Sequence, residues 1–93
     1  MDTKRLEFTL WGNVQGVLLR DFVKGKAKDL ELVGFVENRS DGTVRIVAEG
    51  ETGKLDTLID RVRARTENGQ KIEDDTVNFV SATGEFEEFK IKK

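Results

Sequence analysis

Two glycines and an arginine punctuate the stretch of this chain best suited to hold an anion: Gly12-Asn13-Val14-Gln15-Gly16-Val17-Leu18-Leu19-Arg20. An alternating apolar run precedes it and helical spacing follows it, so it reads as a strand-to-helix junction. At such a junction glycines let successive backbone N–H groups converge and the helix presents its positive end, while an arginine adds a permanent charge on a planar donor fork. Phosphate suits this set, held by the amides of Gln15, Gly16, Val17, Leu18 and Leu19 and by the guanidinium of Arg20. Taken alone, a tight turn with an exposed arginine would account for the same pattern, so a second stretch must corroborate it.

That stretch is Val36-Glu37-Asn38-Arg39-Ser40-Asp41-Gly42-Thr43-Val44, where an Asp-Gly turn joins two β-like runs and an asparagine stands just before the turn. With both stretches in this order and spacing, the chain resembles the acylphosphatase family. The matching residues are Gly12, Val14 to Val17, Arg20, Ala27, Leu30, Leu32, Gly34, Val36, Asn38, Asp41 to Val44 and Gly50. The resemblance implies a small enzyme that hydrolyses carboxyl phosphates. It implies that the loop amides and Arg20 bind the phosphate, and that Asn38 places the attacking water. Leu18-Leu19 stand where family loops often carry an aromatic residue before the arginine, and Glu31 stands where a helix-ending glycine is usual. Neither change removes a backbone N–H or a reacting side chain, so they bear on substrate fit and rate rather than on reaction class.

The elements that must position these residues follow from periodicity. Leu6, Phe8 and Leu10 alternate with polar neighbours as a half-buried strand. Leu19, Phe22 or Val23, Ala27 and Leu30 recur at helical spacing, with Gly25 in the helix interior. Residues 33–39 and 43–49 flank the turn as strands, with Val44, Ile46 and Ala48 on one face. A second helix carries Leu55, Leu58, Ile59 and Val62, with Thr52 as its expected cap and Asn68-Gly69 as its stop. Val77, Phe79, Phe86, Phe89 and Ile91 mark two C-terminal strands around Gly84. The order β-α-β-β-α-β with an extra C-terminal strand predicts a ferredoxin-like α/β sandwich, an antiparallel sheet with both helices on one face. A right-handed strand-helix-strand unit then brings the glycine loop and Asn38 to the same end of the sheet.

Composition bounds the chemistry. The 93 residues make one domain, 1–93, which buries roughly two-thirds of its unfolded surface. With 16 basic and 18 acidic residues the net charge is −2, so no global attraction to nucleic acid or an anionic membrane is expected, and any anion site is local. Histidine, cysteine and proline are absent, which removes disulfides, a thiolate nucleophile, an imidazole base and the usual zinc ligands. No signal-type or membrane-spanning run is present, and the expectation is a cytoplasmic monomer with no cofactor or metal. Phosphate esters leave as alkoxides and usually call for an acid or a metal, whereas an acyl phosphate expels a carboxylate whose conjugate acid has a pKa of about 4. The expected partners are therefore an acyl phosphate substrate and inorganic phosphate. The competing reading is a non-catalytic anion-sensing or protein-interaction domain of the same fold.

Other patterns are weaker. Gly50-Glu51-Thr52-Gly53-Lys54 echoes a nucleotide-binding loop, but the first glycine is too near the lysine and Leu55 replaces the magnesium-binding hydroxyl, so a loop and helix start is expected. Lys24, Lys26 and Lys28, like Arg61, Arg63 and Arg65, have a period of two that spreads them around a helix as solvated faces. The acidic clusters 73–75 and 85–88 read as a rim, because neighbouring strand residues point to opposite faces. Trp11 and Phe35 read as packing or partly exposed aromatics, and Val14 and Val17 as loop residues buried at the sheet edge.

Overall fold

Leu6, Phe8 and Leu10 are fully buried on one face of β1 (Thr3–Asn13), as their alternation requires. The order continues as α1 (Val17–Asp29), β2 (Val33–Asn38), β3 (Val44–Glu51), α2 (Thr52–Ala64), β4 (Lys71–Ser81) and β5 (Phe89–Lys92). The structure, a computed structural model, describes residues 2–65 and 71–92, with Val17 described by its backbone only. The expected helix stop at Asn68-Gly69 and the expected burial of Val17 thus lie outside the described residues.

The sheet order is β4-β1-β3-β2-β5. Strands β1 and β2 both pair antiparallel with β3, so they run parallel to each other on either side of it. One core joins Leu6, Phe8 and Leu10, Val36, Val44, Ile46 and Ala48 to Leu19, Val23 and Ala27 of α1 and to Leu55, Leu58, Ile59 and Val62 of α2. Both helices therefore cover the same face, in a ferredoxin-like sandwich. Burying each such aliphatic side chain contributes about 1.5–3 kcal/mol.

Three expectations are corrected. The antiparallel arrangement holds for β4, β1, β3 and β2, but β5 pairs parallel with β2, so the five-stranded sheet is mixed. Phe86 lies in the connection between β4 and β5 rather than on a strand, because β4 and β5 occupy opposite edges and residues 82–88 must cross the sheet. Thr52 is the first residue of α2 and does not cap it: Glu51 is the N-cap, and the Thr52 amide and hydroxyl both donate to the Asp2 carbonyl, each at 3.1 Å.

The crossing segment lies over the helix-free face. Arg5, Phe35 and Glu49 sit there, each next in sequence to a core residue of the other face. The Phe86 ring meets Phe35 edge-on at 5.9 Å, with the Arg5 guanidinium 5.6 Å from its centroid. The Glu49 carboxylate is buried and accepts hydrogen bonds from the Thr83 amide and hydroxyl and from the Gly84 amide, each at 2.9 Å, with Arg5 Nη1 3.7 Å away. Burial alone would push this carboxyl up. The Thr83 and Gly84 amides, the Thr83 hydroxyl and Arg5 outweigh it and hold Glu49 below the ordinary value.

At the end of α1, Glu31 occupies the left-handed region at φ 59°, where a helix-ending glycine would sit without strain. Its carboxylate receives Lys54 Nζ at 2.7 Å, and the hydrogen bond from Lys54 lowers the Glu31 pKa and raises that of Lys54.

Candidate active site

The glycine loop begins at a bulge. The register between β1 and β4 shifts between Trp11 and Gly12, and Gly12 adopts φ 122° with the backbone of Lys71 and Glu73 against it, so a side chain there would strike β4. Val14 is buried and anchors the loop to the core. Gly16, at φ 136°, is the N-cap of α1, and only glycine takes that backbone readily. No side chain caps this helix and no acidic residue occupies its first turn, so its positive end is not neutralised locally. The amides of residues 17–19 belong to that first turn.

Arg20 stands in the same turn. Its Nε lies 3.4 Å from the Gly16 carbonyl oxygen, a long contact, and Arg20 forms no ion pair among the described residues. Leu19 is buried in the core, whereas Leu18 is exposed.

Asn38 ends β2. It lies opposite Val44 of β3, and so does Leu10 of β1, which places the end of β2 level with the start of the glycine loop. The Asn38 Oδ1 atom is buried and accepts no hydrogen bond from the described residues. A buried carbonyl oxygen without a donor is uncommon.

The turn after Asn38 is tied at several points. Arg39 N donates to Thr43 O at 2.8 Å and Gly42 N to Arg39 O at 3.1 Å. Asp41 Oδ1 accepts the Thr43 hydroxyl at 2.6 Å and the Thr43 amide at 3.0 Å, which lowers the Asp41 pKa. Sequence reasoning did not foresee one link. The Gln15 side chain leaves the glycine loop and donates from Nε2 to Arg39 O at 2.6 Å and Thr43 O at 3.0 Å, joining the two candidate stretches directly.

Elsewhere the secondary patterns resolve structurally. Gly50 and Glu51 belong to β3 and the helix begins at Thr52, so the nucleotide-loop echo contains no loop at all. Arg63 is not simply solvated: it grips Asp75 with Nη2 at 2.7 Å and Nε at 3.0 Å, while Arg65 stacks 4.3 Å over the Phe22 ring. A groove of about 630 Å³ runs along β5 beside Phe35, Phe86 and Ile91 and includes none of the candidate site residues. Among the described residues no cluster of His, Cys, Asp or Glu could hold a metal ion, and no helix is long and apolar enough to cross a membrane.

The acylphosphatase family model matches residues 6–91. An acylphosphatase of Salinibacter ruber is 37% identical over 90 residues, covering 97% of this chain and 94% of the relative. The crystal structure of an acylphosphatase from Bacillus subtilis superposes with a TM-score of 0.89 at 31% identity, covering 97% of this chain and 99% of that one. A full-length HypF, in its phosphate- and nucleotide-bound form, is similar over 99% of this chain but only 12% of its own length, with a TM-score of 0.89 and 29% identity.

Proposed function

Because the chain belongs to the acylphosphatase family, we propose that it hydrolyses acyl phosphates with phosphate held by Arg20 and the amides of Gln15, Gly16, Val17, Leu18 and Leu19, and with water positioned by Asn38. The observation that carries this reading is the buried Asn38 Oδ1, which has no donor among the described residues and stands at the same sheet end as an uncapped helix start. A water donating one hydrogen to that oxygen would satisfy it and turn a lone pair toward bound phosphorus.

The water oxygen attacks phosphorus as the bond from phosphorus to the bridging oxygen breaks, and the carboxylate departs with the bonding pair. The leaving group's conjugate acid has a pKa of about 4, so no general acid is required. A non-bridging phosphate oxygen takes the water's proton, since the Asn38 amide cannot act as a base near neutral pH. Products are a carboxylate and inorganic phosphate. The guanidinium and the helix-end amides offset the phosphoryl charge throughout. The proposal extends to a cytoplasmic monomer working without a metal. Its activity should be flat with pH through neutrality, because the chain has no histidine or cysteine to titrate there, and a chelator should not change it.

Benzoyl phosphate kinetics alongside calorimetric titration of inorganic phosphate test the roles. Arg20→Ala should weaken phosphate binding and abolish most turnover. Asn38→Ala should leave phosphate affinity nearly unchanged and lower the rate by roughly two orders of magnitude. Phosphate binding by the unaltered protein without turnover would instead favour the sensor reading. Near-full turnover in Asn38→Ala would remove that residue from the mechanism.

A further inference from the structure

The strand ends that carry the two halves of the site are not neighbours. β3 separates β1 from β2, and its ladders with them end at Leu10 and Asn38, both opposite Val44; past that point β1 continues to Asn13 along β4 alone and β2 gives way to a turn. Ladder hydrogen bonds therefore fix the strands but not the gap between loop and turn.

The Gln15 side chain spans that gap. A carboxamide nitrogen has two hydrogens to donate, and Gln15 Nε2 has two backbone acceptors in reach, Arg39 O at 2.6 Å and Thr43 O at 3.0 Å. These carbonyls close the turn: Thr43 O also accepts Arg39 N, and Arg39 O also accepts Gly42 N. Arg39 directly follows Asn38, and Gly16, the N-cap of α1, directly follows Gln15. One carboxamide thus grips the turn one residue past the proposed water-holder, from a point one residue before the proposed phosphate cradle. An exposed glutamine is ordinarily satisfied by solvent, so a side chain on an exposed residue with both donors engaged by backbone of a distant segment is a positional device.

We propose that the Gln15 side chain is a positioning residue for the hydrolysis, clamping the phosphate loop to the β2–β3 turn and so setting the Asn38 carboxamide at its distance from the bound phosphoryl group. The clamp rests on the roles assigned above to the loop and Asn38. It acts on attack geometry and leaves the phosphate contacts, which come from backbone amides and Arg20, in place. In-line attack tolerates little displacement, and a misplacement of about 1 Å costs on the order of a hundredfold in rate.

Gln15→Met keeps the side-chain length and the backbone amide but cannot donate, and Gln15→Glu keeps the shape but turns a carboxylate toward two carbonyl oxygens. Both intact variants are to be compared with the unaltered protein for benzoyl phosphate kcat and KM, for phosphate affinity by calorimetry, and for the Asn38 side-chain amide signals by nitrogen-edited NMR. The expected result is a kcat lowered roughly ten- to hundredfold, a phosphate dissociation constant within about threefold of the original, and displaced Asn38 signals. A kcat within about threefold in either variant, or phosphate binding lost in proportion to kcat, overturns the clamp. An inactive unaltered protein sinks the hydrolytic reading itself, whereas an active one with unaffected Gln15 variants sinks the clamp alone.

Discussion

Helices α1 and α2 cover one face of the sheet with aliphatic side chains, whereas over the other face the residues linking β4 to β5 are held by a carboxylate, an arginine and two phenylalanine rings. The first face gains its stability from area removed from water, which is non-directional and tolerates small shifts. The second depends on Glu49 meeting two amides and a hydroxyl at 2.9 Å, a directional arrangement whose loss strands several buried groups together. The same sheet is thus sealed on one side by shape and on the other by hydrogen-bond geometry.

The largest expected effect lies on the helical face. Leu58→Ala should destabilise by about 2–5 kcal/mol in urea titration, the range for emptying a fully buried leucine site. A loss below about 1 kcal/mol would mean that this face is not the principal source of stability.

Glu49→Gln should cost less, roughly 1–3 kcal/mol, since an amide offers one acceptor oxygen where the carboxylate offers two. The two faces should also part company in acid. Glu49 titrates below its ordinary value of 4.5 in the fold, so its contribution is complete above that pH and disappears as the pH falls through the depressed folded value. Urea midpoints measured from pH 7 downward should therefore fall less steeply in Glu49→Gln than in the unaltered protein, while Leu58→Ala should keep the original slope. Parallel acid profiles for all three proteins would erase the distinction.

The smallest effect has the opposite sign. Gly25 is exposed in the interior of α1, and an added Cβ would meet nothing within 4 Å. Gly25→Ala should stabilise by about 0.5–1 kcal/mol through backbone entropy alone, read as a raised urea midpoint with an unchanged slope. A destabilised Gly25→Ala would show that the outer side of α1 carries a contact of its own.

The same contrast explains what was legible in the residues. The stripe Leu55, Leu58, Ile59 and Val62 coincides with the buried set of α2, and Leu6, Phe8 and Leu10 with that of β1, because apolar burial writes its period into the chain. Hydrogen-bond closure leaves no such period. Glu49 looks like any strand carboxylate until Thr83 and Gly84 arrive from across the sheet, and Phe86 suggests a strand until the crossing is seen. The candidate site divides likewise. Gly16, Arg20 and Asn38 stand out through residue type and local turn chemistry, while the Gln15 clamp spans 24 positions, and the burial of the Asn38 oxygen depends on the assembled fold. Thr52 has a residue type that suits a cap, but its hydroxyl donates to the Asp2 carbonyl and Glu51 holds the cap position.

The separation of β1 and β2 by β3 also bears on the order of events in folding. Val44 pairs with Leu10 of β1 on one side and with Asn38 of β2 on the other, so neither the β2–β3 hairpin nor the β1–α1 segment holds both halves of the candidate site. Long-range pairing of this kind forms late, because chain closure precedes the contacts that reward it. On the proposed reading, a phosphate ion then recognises only the finished topology. Saturating phosphate should slow unfolding while leaving the refolding rate nearly unchanged, with a gain of about 2.7 kcal/mol at a hundred times its dissociation constant.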